Sequence, residues 1–155
     1  MFPRYDFESE IFPSLNRISL HVRMKLDLTG TRISLNAWLA FSLEERWVLC
    51  HFPVAAEEER KSFVSYLDFL SLRYLGERVE VASSLLDPPW ENAARVPEAV
   101  EASSKEMGNP VTLDEWARWE PHRRYVLFKL AISKNEPEQF HAALREFRRP
   151  ESGST

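Results

Sequence analysis

Apolar positions recur along most of the chain at three- and four-residue spacing, the periodicity of helices that bury one face. From Ser19 to Leu28, Leu20, Met24 and Leu28 stand four apart with Val22 and Leu26 on the adjoining stripe, and Gly30 punctuates the end. Ser34 caps a short helix carrying Leu35, Trp38 and Phe41. Ser42 and Glu45 form a capping-box pattern that opens the next helix, which runs to about Phe52, where Pro53 stops it. Glu57, Glu58 and Glu59 sit in the first turn of a long helix, at the positive end of its dipole, and Phe63, Tyr66, Leu67, Leu70 and Tyr74 supply its apolar face up to Gly76. Residues 77–97 contain Asp87, Pro88, Pro89 and Pro97 with little sustained periodicity and read as a connector, with room for one short helix and with Trp90 pinning it to the core. Helical character returns from Pro97, as first helical residue, through Val100 to Met107, and Gly108 ends it. Thr112 with Glu115 repeats the capping logic, Pro121 starts the following helix, and Phe140, Leu144 and Phe147 give the last helix its buried face, with Arg145, Arg148 and Arg149 at its negative end.

A repeat runs through this pattern. Setting Gly108 against Gly30 gives an offset of 108 minus 30, or 78. The same offset aligns Ile33 with Val111, Ser34 with Thr112, Leu35 with Leu113, Trp38 with Trp116 and Phe41 with Trp119. It also aligns Arg46 with Arg124, Val48 with Val126 and Leu49 with Leu127. The expected fold class is therefore mainly α: one compact helical domain over 1–150, built from two duplicated helix-loop-helix units related by a pseudo-two-fold, with little or no β structure. Repeat one spans about 19–76, the connector 77–97 and repeat two about 98–149, with a polar, disordered tail at 151–155. Ile33 and Val111 offer one tiny strand contact between the halves.

Composition narrows the function more than it names it. At 155 residues and 44% hydrophobic, the chain is long enough for a sizeable single core. A formal charge of -4 argues against a nucleic-acid partner. No apolar run is long enough to span a bilayer, and the start MFPRYDFESE lacks the pattern of a signal peptide, so no membrane partner and a cytoplasmic location are expected. Cys50 is the single cysteine, which rules out an intramolecular disulfide and a thiolate cluster.

No catalytic residue is assigned. His21, His51, His122 and His141 form neither an HxxxH nor an HExxH pattern, so no metal site is expected. His51 beside Cys50 points about 100° away on a helix and is poorly placed as its base. The helix-glycine-aliphatic-helix order around Gly30 and Gly108 is similar to an EF-hand but lacks the oxygen ligands calcium needs. With four glycines and no GxGxxG or P-loop spacing, no nucleotide cofactor is supported. Arg46 and Arg124, at equivalent positions, are candidates for an anion clamp or for a structural ion pair. The segments Tyr5 to Glu10 and Asp87 to Asn92 mix acids with aromatics, and Tyr5, Phe7, Glu8, Asp87 and Trp90 are the candidate partner-binding residues.

Taken together, DFE at Asp6 to Glu8, SL at Ser14 to Leu15, VRMKLD at Val22 to Asp27, Gly30, ISL at Ile33 to Leu35, Trp38 and FSLEER at Phe41 to Arg46 resemble the nitrate reductase associated protein family of bacteria, cyanobacteria included. The resemblance continues through YLDFL at Tyr66 to Leu70, VTLDEW at Val111 to Trp116 and ALREF at Ala143 to Phe147, and so covers most of residues 5–147. It implies a non-catalytic accessory protein of the assimilatory, molybdenum-dependent nitrate reductase, aiding its maturation, assembly or activity through protein-protein contact. The implied partners are nitrate reductase or its cofactor-assembly machinery. The alternative is a regulatory domain of nitrogen metabolism that binds a small anion through Arg46 or Arg124.

Overall fold

Side-chain oxygens start the helices of the first half where the sequence places them. Ser19 accepts from the Val22 N–H at the head of α1 (Leu20–Thr29), and Ser34 from the Ala37 N–H at the head of α2 (Leu35–Ala40). At α3 (Leu43–His51), Ser42 accepts from the Glu45 N–H and the Glu45 carboxylate accepts from the Ser42 N–H, a complete capping box. Helix α4 (Glu57–Leu75) follows Ala56, which has no capping side chain; the Glu59 carboxylate accepts from the Ala56 N–H at 2.8 Å instead. Gly30 closes α1 in the left-handed region, at φ 70°, where a side chain would be strained.

The computed structural model describes residues 2–82, 88–133 and 137–149. It separates into two compact units, Met1–Arg4 with Glu8–Leu86, and Tyr5–Phe7 with Asp87–Thr155. A 3-10 turn spans Asp6–Ile11, broken at Glu8 where the chain passes from the second unit to the first. Packing of α1 against α3 and α4, and of α2 against α4, buries Val22, Trp38, Leu49, Phe63, Leu67 and Leu70 completely. Each such side chain contributes about 1.5–3 kcal/mol by leaving water. Strand β1 (Thr31–Arg32) pairs antiparallel with β2 (Glu80–Val81), Thr31 opposite Val81 and Arg32 opposite Glu80. The strand after Gly30 thus takes its partner from the start of the connector, inside its own unit, and neither Ile33 nor Val111 lies in a strand.

The second unit holds a 3-10 turn at Pro89–Glu91, α5 (Glu98–Glu106), α6 (Leu113–Arg118), α7 (Pro121–Ile132) and α8 (Pro137–Arg148). Helix α7 is its centre and packs on α5, on α8 and on the 3-10 turn; its Val126 and Leu127 are completely buried, as are Val100 on α5 and Ala143 and Leu144 on α8. The Thr112–Glu115 capping box forms as expected, whereas Pro97 is the extended cap before α5 and not its first turn. Among the apolar residues that face water are Leu35, Val48 and Tyr74, at 48%, 44% and 38% exposed. Tyr74 is held outside by a hydrogen bond from its hydroxyl to Glu45. The fold is mainly helical, with the two-residue β1 and β2 as its strands among the described residues. A 78-residue spacing separates Leu20 from Glu98, Leu35 from Leu113 and Leu43 from Pro121, the first residues of three pairs of helices. The expected tail at 151–155 and connector residues 83–87 lie outside the described residues.

Candidate functional site

Each unit is organised around one tryptophan and one arginine. In the first, the Trp38 indole N–H donates to the Leu15 carbonyl at 2.6 Å, while the Arg46 guanidinium donates to the carbonyls of Trp38, Leu39 and Ser14 at 2.9–3.0 Å. In the second, the Trp116 indole donates to the Asn92 carbonyl at 2.9 Å, and Arg124 donates to those of Trp90, Trp119 and Trp116 at 2.7, 3.0 and 3.5 Å. Carbonyls at a helix end lack some of their helical partners, and a forked, permanently charged donor is well suited to them; that of Trp38 also accepts from the Phe41 N–H at 3.2 Å. Both arginines therefore tie a helix end to the segment beneath it. Arg124 is 6% exposed, and burial holds its guanidinium below the ordinary arginine range.

The candidate partner residues divide. Tyr5 is 3% exposed: its hydroxyl lies 2.9 Å from Nδ1 of His122, and its ring packs on Phe7 and edge-on to Phe147. Trp90 is 2% exposed and stands edge-on to Tyr125, 4.8 Å between centroids. Neither ring is an exposed anchor, because each fills a pocket in the second unit. Phe7 is half-buried and donates its backbone N–H to Glu146, while a Glu8 oxygen accepts from the Leu20 N–H in the first unit. Asp87 lies outside the described residues.

Around Trp90 the connector nevertheless builds a surface. Pro88, Pro89, Glu91, Asn92 and Arg95 line a groove of about 730 Å³ with Pro97, Glu98, Ala99 and Phe128. Phe128 is half-buried and touches the Trp90 ring at 5.7 Å, so the tryptophan supports the groove floor from behind. A second cavity, about 330 Å³, lies among α6, α7 and the end of α8, lined by Glu115, Arg118, Trp119, Glu120, Arg123, Phe147, Arg148 and Arg149. Its residues come from three helices, and the sequence offers no sign that they meet.

Two further groups escape sequence reasoning. Lys25 is 2% exposed and donates through Nζ to the Leu49 and Cys50 carbonyls at 2.9 and 2.6 Å, closing the end of α3; burial pushes its ammonium down to about 8, opposed by nearby Cys50. Burial likewise pushes the Cys50 thiol up to about 11, which keeps it protonated and poorly nucleophilic. His122 bridges Tyr5 and Glu120, with Nε2 2.9 Å from a Glu120 oxygen. Among the described residues, no three His, Cys, Asp or Glu side chains gather as metal ligands, and no helix is long and apolar enough to cross a membrane.

These features define a mainly helical protein with two carbonyl-capping Trp–Arg frameworks and two surface cavities in its second unit. The family model described as conserved nitrate reductase-associated protein matches residues 4–147, and the chain belongs to that family. No curated protein and no solved structure matches it.

Proposed function

We propose that the protein is a non-catalytic accessory of assimilatory nitrate reductase that aids the enzyme's maturation, assembly or activity through direct protein contact. The observation that carries this reading is the family match over residues 4–147. The connector groove supports it. Pro88, Pro89 and Phe128 offer apolar contact, while Arg95, Glu91 and Glu98 ring it with charge of both signs, the mixture that a specific protein interface uses. The rigid prolines lose little freedom on binding.

We also infer that the two halves descend from one duplicated helical unit. The 78-residue offset that aligns Trp38 with Trp116 and Arg46 with Arg124 also separates the first residues of three pairs of helices, and in both halves the arginine donates to the tryptophan carbonyl.

Deletion of the gene in a host growing on nitrate tests the functional reading. Nitrate reductase activity falls while its transcript stays at the wild-type level, the native chain restores activity, and the groove variant Arg95→Glu restores less. Unchanged activity in the deletion strain overturns the proposal.

A further inference from the structure

We propose that the cavity among α6, α7 and α8 binds a small organic anion, one carrying a carboxylate or phosphoryl group on an apolar or planar body. Four guanidinium groups face two carboxylates in its lining, in a chain whose net charge is -4. Arg148 is satisfied internally, since its Nε and a terminal nitrogen meet the two oxygens of Glu115 at 2.8 and 2.9 Å. Arg118 and Arg123 have no carboxylate within ion-pair distance among the described residues. Arg118 is exposed and spends its Nε on the Asp114 backbone carbonyl at 3.3 Å, leaving its terminal nitrogens to solvent.

The aromatic wall gives this charge a direction. The Arg123 guanidinium lies 5.0 Å from the Phe147 ring centroid, and Trp119 meets the same ring at 6.2 Å and 62°. Stacking uses the flat face of a guanidinium and leaves its N–H edge free to fork a carboxylate or phosphoryl group. Trp119 is half-buried and supplies an apolar surface beside that edge. The volume, about 330 Å³, sits at the small end of the range of roughly 300–1,000 Å³ typical of small-molecule sites.

Beyond the two lining carboxylates, Arg149 draws Asp6 and, at 3.9 Å, Glu146 to the edge of the cavity. Asp6 pairs with Arg149 at 2.9 Å, but both side chains are more than half exposed, so the pair is weak and readily exchanged for a ligand. Removing the Asp6 charge therefore favours an incoming anion at the cavity.

Titration calorimetry with phenyl phosphate, against chloride at matched ionic strength, tests the proposal. The wild-type protein binds it saturably, and Arg118→Gln with Arg123→Gln weakens binding about tenfold or more, the loss expected of charged hydrogen bonds. Arg123→Lys, which keeps the charge but loses the fork, falls between. Asp6→Asn binds more tightly, whereas Glu98→Gln, the same change of charge on the other cavity, leaves affinity unaltered. Circular dichroism melts without ligand confirm that each variant is folded. Absence of saturable binding, binding indifferent to the arginines, or an equal gain from Glu98→Gln overturns the site. So does arginine-dependent binding of a poly-glutamate peptide when phenyl phosphate does not bind, since the cavity would then read acidic protein chains.

Discussion

The Trp38 indole N–H donates to the carbonyl of Leu15 at 2.6 Å, and Leu15 is held at φ 47°, in the left-handed region, with its side chain fully buried. A leucine there carries a backbone cost of about 1–2 kcal/mol relative to the ordinary region. It persists because its side chain fills the core and its carbonyl is fixed by the indole. The usual order of truncation is therefore inverted: Leu15→Ala keeps the strain and loses the packing, whereas Leu15→Gly loses the packing and relieves the strain. Urea unfolding finds Leu15→Gly the more stable of the two by about 1 kcal/mol.

The two tryptophans separate packing from hydrogen bonding. Trp38→Phe and Trp116→Phe remove similar volume from fully buried sites. The first strands the carbonyl of fully buried Leu15, while the second frees that of Asn92, an exposed residue that water can reach. Trp38→Phe accordingly costs about 1–2 kcal/mol more than Trp116→Phe, measured from urea midpoints at constant slope.

Arg124 should tolerate no conservative exchange. Arg124→Lys keeps a charge but loses the planar fork that reaches the Trp90 and Trp119 carbonyls together, and costs about 2–3 kcal/mol. Arg46→Lys, at a more exposed site, costs less. Thermal melts of both variants give the comparison.

Acidification should loosen the second unit through His122. With Nε2 donating to Glu120, Nδ1 accepts from the Tyr5 hydroxyl; protonation of Nδ1 reverses that bond, so the phenol oxygen must accept and its own proton is left the distant His122 carbonyl at 3.5 Å. Burial is the largest cause holding His122 below its ordinary pKa of 6.5, Glu120 opposes it and Arg123 adds to it. A depressed folded pKa means the unfolded chain takes the proton first, so the contribution is complete above about pH 6.5 and is lost as pH falls below it. The melting temperature drops over this range in the wild type, and His122→Gln flattens the drop. His51, exposed and shifted the same way chiefly by burial, changes it less when replaced by Gln. Glu115, lowered mainly by Arg148, adds a separate loss only below its ordinary 4.5.

Much of the helical framework was legible because its signals are local. Ser34, Ser42 and Thr112 announce helix starts, Gly30 supplies a left-handed stop, and the spacing of Leu67 and Leu70 marks a buried face. The recurrence of Arg46 and Arg124 was equally visible, but not its purpose, because the carbonyls they bind belong to helix ends and to segments up to 34 residues away. Trp90, read both as the connector's pin to the core and as a partner residue, is buried as the pin, whereas Tyr5 read as a surface anchor among acids yet enters the core through contacts such as that to His122, 117 residues away. Lys25 shows the same limit, since nothing in VRMKLD distinguishes a buried lysine from a solvated one. The arginine cavity draws on three helices and has no linear motif at all.

Association with nitrate reductase is tested most directly by affinity capture of the tagged protein from nitrate-grown host cells, followed by mass spectrometry, with untagged cells as control. The account predicts specific recovery of nitrate reductase or its cofactor-assembly machinery, reduced by Arg95→Glu in the connector groove. Recovery of neither, at good yield and under gentle washing, would contradict it.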